Sequence, residues 1–371
     1  MKRAHSVAIR IVGLVAVAFL VALLVFAGLS FFRPSYSENQ VSTVESDEKA
    51  EPDQDYTVSI VGDISLADNW EVMPVYDSRG KGVDGILSKE ALKVMRESDF
   101  MIANSEFTVS NRGAKTPGKY YTFRAKPERL KIYNDMGVDM VTLANNHVYD
   151  FGPVAFNDML ESFKAIKMPY IGAGKNLDEA KKPYYLTLPD GSRVAFVNAT
   201  RAEKGGIDTP GATATTGGVL LCYDTTEFIK TIKEAKANSD YVVAIIHWGT
   251  ELSHQLEQVQ KTTAKDYLAA GADIIVGGHA HTLQGIDYND GKPIVYNLGD
   301  FIFNNGTEDT GILQIKFLAE GGVKFYFLPG LQSNVYTRLL TGNARIQKIN
   351  EILSWDGSNA KILNDGEIVA K

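Results

Sequence analysis

Cysteine is nearly missing: Cys222 is the only one in 371 residues. That excludes an intrachain disulfide framework and any Cys-rich zinc module. Positive charge is also in the minority, with 38 Lys+Arg against 45 Asp+Glu. Such a chain has nothing with which to displace phosphate counterions in bulk, which argues against a general nucleic-acid binder. No basic stretch suited to an anionic polymer stands out, and there is no internal repeat or long low-complexity segment. Histidine is scarce, at six residues, so where each one falls carries information. The remaining composition, 44% hydrophobic and 22% charged, is ordinary for a globular protein. The length allows two domains or one large α/β domain.

What the chain does have begins near its start. Ile11–Phe32 is an uncharged, mostly apolar run preceded by Lys2, Arg3 and Arg10. As a helix it reaches about 33 Å, enough to cross a hydrocarbon core of ~30 Å. Only Arg33 follows closely, before an acidic stretch with Glu38, Glu45, Asp47, Glu48 and Glu51. The charge asymmetry places a leader (residues 1–10) in the cytoplasm and the bulk of the chain outside it. A cleaved signal peptide is the alternative. Its apolar region is usually only ~7–15 residues, and no clear small-x-small site follows Phe32. A lipid anchor would need a nearby cysteine, which is lacking. The expectation is an uncleaved single-pass anchor over 11–32, a disordered acidic linker over 33–55, and one extracytoplasmic domain over 56–371.

From Tyr56 onward, short apolar runs of β type alternate with helical segments, the pattern of α/β layering. The expected helices are Lys89–Glu97, Glu128–Met136, Phe156–Lys167, Glu227–Ala237 and Gln255–Ala270. The β runs end alike: in Gly62-Asp63, in Asn104 and Glu106, in Asn145-Asn146-His147, in His247, and in His279 and His281. Ligands of layered α/β proteins gather beyond the carboxyl ends of strands. Each piece has a plain reading: a Gly-Asp turn, a solvated loop carboxylate, an Asn helix cap, a satisfied core histidine. His279-x-His281 is harder to dismiss, because two imidazoles at this spacing can share a cation. Four of the six histidines fall at these ends, and together they point to one site.

Imidazoles, carboxylates and an Asn carbonyl suit a divalent ion such as Mn, Fe or Zn, and no thiolate is at hand for a soft site. A carboxylate between two ions can bridge them, and an ion pair about 3.5–4 Å apart activates water and clamps a phosphoryl group. A histidine nearby but not bound to metal can protonate a leaving oxygen. His147 is the candidate, with Asp150 three residues on to orient it.

These motifs, in this order, resemble the calcineurin-like metallophosphoesterase superfamily. More narrowly they resemble the CapA family, called PgsA in poly-γ-glutamate producers. The resemblance runs from about Tyr56 to Asn305. It rests on VGDISL (Val61–Leu66), ANSEFT (Ala103–Thr108), LANNHVYDFG (Leu143–Gly152), HWGTEL (His247–Leu252), GADIIVGGHAHTLQGID (Gly271–Asp287) and YNLGDFIF (Tyr296–Phe303). It implies a four-layer sandwich, two β-sheets flanked by helices. It implies that Asp63 and His281 hold one ion, that Asn146, His247 and His279 hold the other, and that Glu106 takes the bridging place. His147 matches the general acid; Glu251 and the Asn297–Asp300 turn would lie near substrate.

The departures are Ser65, where most of the superfamily has a metal-binding histidine, Ala280 for a usual Pro, and Asp300 for a usual Asn. Ser65 leaves open a two-ion or a one-ion site. Two functions follow from the resemblance. One is a membrane-anchored part in making or exporting capsule or poly-γ-glutamate, beside membrane-bound synthase components. The other is a metal-dependent phosphoesterase acting on cell-envelope phosphate esters. The remaining expectations are structural: a plain surface loop over Lys204–Gly218, a strand holding Tyr120, Tyr121 and Phe123, a hairpin within Ile312–Phe327, and a helix at Ala344–Leu353.

Overall fold

The first apolar run becomes strand β1 (Tyr56–Ile64), buried on both faces from Val58 onward. Two-sided burial is the mark of a strand inside a layered sheet. It pairs in parallel with β2 (Phe100–Ser105), which pairs in parallel with β3 (Met140–Thr142), and Tyr170–Ile171 closes that edge. On its other side β1 pairs antiparallel with Thr307–Phe317, half of a long hairpin with Val323–Ser333. This computed structural model describes residues 54–202 and 209–371. The expected leader, membrane helix and nearly all of the linker lie outside the described residues, as do positions 204–208 of the Gly/Thr-rich loop. Among the described residues no helix is long and apolar enough to cross a membrane.

A second sheet has six strands. Its centre is β4 (Tyr241–Trp248) beside β5 (Ile274–His279), in parallel, with Arg193–Thr200 parallel on the far side of β4. A short strand, β6 (Asp300–Ile302), then returns to the first sheet and lies parallel to the end of β1.

Alternation along the strands sorts the core into three apolar clusters. Val58, Ile60, Ile102 and Met140 of the first sheet pack with Phe196, Val243, Ile245 and Val276 of the second. Val61, Met101 and Ala103 face the opposite way, into a cluster with Leu92, Met95, Phe156 and Leu160 from helices Lys89–Glu97 and Gly152–Ala165. Val242, Ala244 and Ile246 pack on helices Thr226–Ala237 and Gln258–Ala270 through Phe228, Ile232, Ala264 and Leu268. Each fully buried Val, Leu, Ile, Phe or Met among them contributes roughly 1.5–3 kcal/mol, and the period of two directs that gain to both faces of each sheet.

The carboxyl ends of β1, β2, β4 and β5 meet closely. A Cβ on Gly62 would lie 1.9 Å from the Gly299 carbonyl oxygen, and one on Gly278 would lie 2.8 Å from Asp63 Oδ1. Only glycine lets the backbones approach this far.

Most expected helices are present with shifted ends. The one expected at Gln255 starts at Gln258, because Glu257 closes a capping box with Gln260. The one expected at Phe156 starts at Gly152, with Pro153 in its first turn, and is over before Lys167, which takes a φ of 58°. Glu128–Met136 opens as a 3₁₀ turn, Pro127–Leu130, before the helix Lys131–Met136. The last helix, Gly342–Ile352, is close to expectation, and the hairpin is longer than expected because its first strand extends the main sheet along β1. The strand expected at Tyr120–Phe123 is a correction. These residues form irregular chain, with Tyr120 and Tyr121 exposed and Thr122 and Phe123 buried.

Candidate metal centre

The first sheet brings carboxylates. Asp63, at the end of β1, is fully buried; its Oδ1 accepts from Asn104 Nδ2 at 2.7 Å and its Oδ2 from the His279 backbone N–H at 2.9 Å. Glu106, just past β2, is fully buried too, and its Oε2 lies 3.2 Å from the same Asn104 amide. Asp300 sits in β6 directly opposite Asp63 in the parallel register. The Asn104 carbonyl oxygen is held by Thr142 and Asn145, which fixes its amide nitrogen toward the two acids.

The second sheet brings imidazoles. His247 Nε2 lies 2.9 Å from Asn146 Oδ1 and 3.4 Å from Glu106 Oε1, and its Nδ1 lies 4.0 Å from Asp63 Oδ1. His279 packs beside it, its ring tilted by 54° with centroids 4.7 Å apart. His281 Nδ1 is 2.7 Å from Asp300 Oδ1 and 3.9 Å from Asp63 Oδ2. His279 and His281 both have positive φ, 91° and 55°, in a region that costs a non-glycine residue roughly 1–3 kcal/mol. The hydrogen bond from the His279 N–H to Asp63 helps hold that strained turn.

Electrostatics sets the two kinds of side chain against their surroundings. Burial pushes Asp63 up, and burial together with Asp63, Asp300, Glu251 and Asp150 pushes Glu106 well above the usual carboxylate range. Burial, then the neighbouring imidazoles, holds His247 and His279 well below the usual histidine value, so both are neutral. Burial opposes a charge on His281, but Asp300, with Asp63 and Glu251 behind it, lifts that ring to about 9. Asp300 itself is raised by burial to about 6 against the pull of His281.

Three overlapping donor sets lie within reach of a common ion: Glu106, His279 and His281; Asp63, Glu106 and His247; and Asp63, His281 and Asp300. Glu106 Oε1 and His279 Nδ1 are buried and have no hydrogen-bond partner among the described residues. Buried acceptors of this kind are costly unless something binds them. Neutral imidazoles beside clustered carboxylates suit a divalent cation, so the residues present fit the expected metal.

Beside this cluster His147 Nδ1 lies 2.8 Å from Asp150 Oδ2, and His147 Nε2 is 4.0 Å from Glu106 Oε1. Asp150 is fully buried and also accepts from the Phe123 backbone N–H at 2.7 Å. The Lys119 ammonium, itself buried, lies 3.0 Å from Asp150 Oδ1 and also donates to the Asn146 carbonyl. The Phe123 ring packs 4.3 Å from the His147 ring.

Of the expected site residues, Asp63, Glu106, Asn146, His147, Asp150, His247, His279 and His281 therefore meet in one place. Glu251 is exposed and lines a cleft of about 330 Å³ with Arg201, Tyr223, Glu257 and His279. Asn297 is buried elsewhere in the architecture. Its amide donates to the Gly278 carbonyl at 2.7 Å and its oxygen accepts from the Gly299 N–H, so it braces backbone beneath the site. Lys119 is a site residue that sequence reasoning did not single out, while Asn104 was named only as a strand end and Asp300 only within a turn expected near substrate. Asn104 and Asp300 stood inside quoted motifs, but Lys119 had no signal at all.

The family model described as bacterial capsule synthesis protein PGA_cap matches residues 57–305. The chain belongs to that family. The PGA_cap span holds every member of the cluster, from Asp63 to Asp300, and stops before the hairpin and C-terminal helix. Over 285 residues the chain is 32% identical to the PGA biosynthesis protein CapA of Bacillus subtilis (strain 168), covering 76% of this chain and 73% of that one. It is 31% identical over 276 residues to the capsule biosynthesis protein CapA of Bacillus anthracis, covering 71% and 64% respectively. A more distant likeness, 26% over 189 residues, is to the trifunctional nucleotide phosphoesterase protein YfkN of Bacillus subtilis (strain 168). It covers 42% of this chain and 12% of that one.

Proposed function

We propose that this PGA_cap protein takes part in making or exporting capsule or poly-γ-glutamate at the outer face of the membrane. In this reading it is tethered by Ile11–Phe32, works beside membrane-bound synthase components, and carries a divalent-metal centre on a calcineurin-like four-layer fold. The observation that carries the metal centre is the buried set of Asp63, Glu106 and Asp300 facing the neutral rings of His247 and His279. Carboxylates in such number are retained in a protein interior when paired with cations. The polymer role is supported by family membership and by the two CapA relatives. Asp63, Glu106, Asn146, His247, His279 and His281 would hold the ions, which would supply Lewis-acid polarisation and an activated water.

The chain's own residues handle the proton. Asp150 accepts from His147 Nδ1–H, which leaves Nε2 as the atom that carries or takes a proton at the site. Lys119 balances the buried Asp150 charge and grips the Asn146 carbonyl, tying the proton-handling side to the His247 side. This ordered trio favours a second reading, hydrolysis of an envelope phosphate ester, for which the YfkN likeness is further support.

The test has two arms. Elemental analysis of the full-length chain after loading with Mn, Fe or Zn is expected to find two ions, and fewer in His279→Ala; no ion in the wild type overturns the metal centre. Cells deleted for the gene and supplied with wild type, His279→Ala or His147→Ala then report surface polymer. Polymer that needs His279 supports the proposal, and polymer made normally without the chain refutes it. Hydrolysis of a phosphate-ester panel, lost in His147→Ala with ions intact, would add the enzymatic step.

A further inference from the structure

We infer that Asp300 is a metal ligand: with Asp63 and His281 it forms a two-oxygen, one-nitrogen donor set for a hard divalent cation of the Mn or Mg class. This rests on the metal reading above and adds to it both a ligand and a difference between the two ion positions.

The argument begins in the sheet. β6 is short, and its register places its first residue, Asp300, opposite Asp63 near the end of β1, so two buried carboxylates come side by side. His281 reaches both, 2.7 Å to Asp300 Oδ1 and 3.9 Å to Asp63 Oδ2, and the three donor atoms lie within a common ion's reach. The second Asp300 oxygen is fixed by Asn304 Nδ2 at 2.8 Å, which leaves Oδ1 turned toward His281. A structural Asp–His pair alone would account for one acid. It would leave Asp63 and Glu106 buried beside it with polar hydrogen bonds but no cation of their own.

The adjoining set points to a ligand independently. His281 is shared with Glu106 and His279, and Glu106 Oε1 and His279 Nδ1 are both buried without a hydrogen-bond partner among the described residues. Ser65, on the chain beyond Asp63, is buried and offers no nitrogen donor. Asp300 therefore fills the shortage that Ser65 leaves. Oxygen-rich donor sets select harder ions and imidazole-rich sets select Zn or Fe. The position held by Asp63, Asp300 and His281 takes the harder ion, and the position around His247, His279 and Asn146 takes the softer one.

The experiment uses the full-length chain, stripped of metal with a chelator and titrated with MnCl2 and with ZnCl2. Free Mn is followed by electron paramagnetic resonance, total metal by elemental analysis, and folding by circular dichroism. Asp300→Asn is expected to weaken Mn at one position by about tenfold or more while Zn at the other stays within about twofold. Asp300→His, which exchanges an oxygen donor for a nitrogen, is expected to turn the preference of that position from Mn toward Zn. A residue that only steadied the turn would not produce that reversal. A folded Asp300→Asn protein with wild-type Mn binding, or an Asp300→His protein with an unchanged Mn-to-Zn preference, overturns the inference. Should the Asn variant not fold, the His variant carries the test. If the wild type binds neither ion, the metal reading falls and this inference with it; two ions in the wild type and in Asp300→Asn alike sink the inference alone.

Discussion

The first sheet supplies carboxylates, Asp63 near the end of β1, Glu106 just past β2 and Asp300 at the start of β6, whereas the central strands of the second sheet end in imidazoles, His247 and His279. Each side is electrostatically poor on its own. The acids are raised because burial and mutual repulsion disfavour their charge, and the two imidazoles are depressed because burial and their neighbours disfavour theirs. A protein that only needed to fold would fill the same space with apolar side chains at less cost. The comparison teaches that neither sheet is built for itself here. Together they form one cluster whose donors suit a divalent cation.

The strongest way to break this picture is to remove the central acid. Glu106→Gln deletes the carboxylate that stands nearest both halves, within 3.4 Å of His247 and 4.0 Å of His147. Ion binding at both positions should weaken more than about 100-fold, read by equilibrium dialysis and elemental analysis, because a ligand loss exceeds the 10–100-fold typical of an outer-shell change. The metal-free variant should lose less stability than metal-free wild type as pH rises, since the carboxyl whose ionisation burial disfavours is gone. Two fully bound ions in Glu106→Gln would refute the bridging place of this residue.

Next in size is His279→Ala, which touches only the nitrogen side. One ion of two should be lost while Mn at the oxygen side persists. Loss of both ions to the same extent would mean that the two sides do not form separable positions.

A smaller effect comes from pH. His281 is raised to about 9 in the folded metal-free chain. A raised basic group contributes stability that is fully present below its unfolded value near 6.5 and is lost as pH rises through about 9. The depressed His247 and His279 are already neutral in the folded chain, and their unfolded forms finish losing protons just above 6.5, which adds a small opposing rise only at the lower end of that window, while the raised Glu106 acts in the same direction as His281. Melting of the chelated chain should therefore fall from pH 6.5 to 9, and the gap to the metal-loaded chain should widen by roughly 2–6 °C. A gap that is constant across that range would show that His281 and its acids are not coupled in the way the distances suggest.

How much of this was legible in the sequence depends on whether a residue's partner is local. The strand ends were readable because apolar runs stop abruptly at polar residues, and eight expected residues do meet. Asp150 was readable because it follows His147 by three positions. Asn297 and Asp300 were expected alike, in one turn near substrate. Both lie in one turn and both could face a site, and only the parallel pairing of β6 with β1 shows that Asp300 enters the cluster while Asn297 braces Gly278. Asn104 was visible as a strand end, but its role as a shared donor to Asp63 and Glu106 needs the distances. The Tyr120–Phe123 stretch misled because aromatic density suggests a strand. Phe123 instead inserts beside His147, which leaves Tyr120 and Tyr121 on the outside.

Lys119 sharpens the comparison at its smallest scale, because it belongs to neither sheet's contribution. Its ammonium is buried, lies 3.0 Å from Asp150, and also holds the Asn146 carbonyl, so it links the proton-handling histidine to an expected ligand. Lys119→Met keeps most of the side-chain volume and removes the charge. It leaves Asp63, Glu106, Asp300 and the imidazoles untouched, so ion stoichiometry should equal that of wild type. Asp150 would then be a buried acid held by His147 and the Phe123 N–H with no ammonium beside it, and whatever hydrolysis or polymer output depends on His147 should fall by about tenfold, less than in His147→Ala, with its pH profile displaced. Restoration by Lys119→Arg would assign the effect to the charge. An unchanged pH profile and output in Lys119→Met, with ions in place, would reduce Lys119 to a support for the loop and leave His147 and Asp150 to act as a pair.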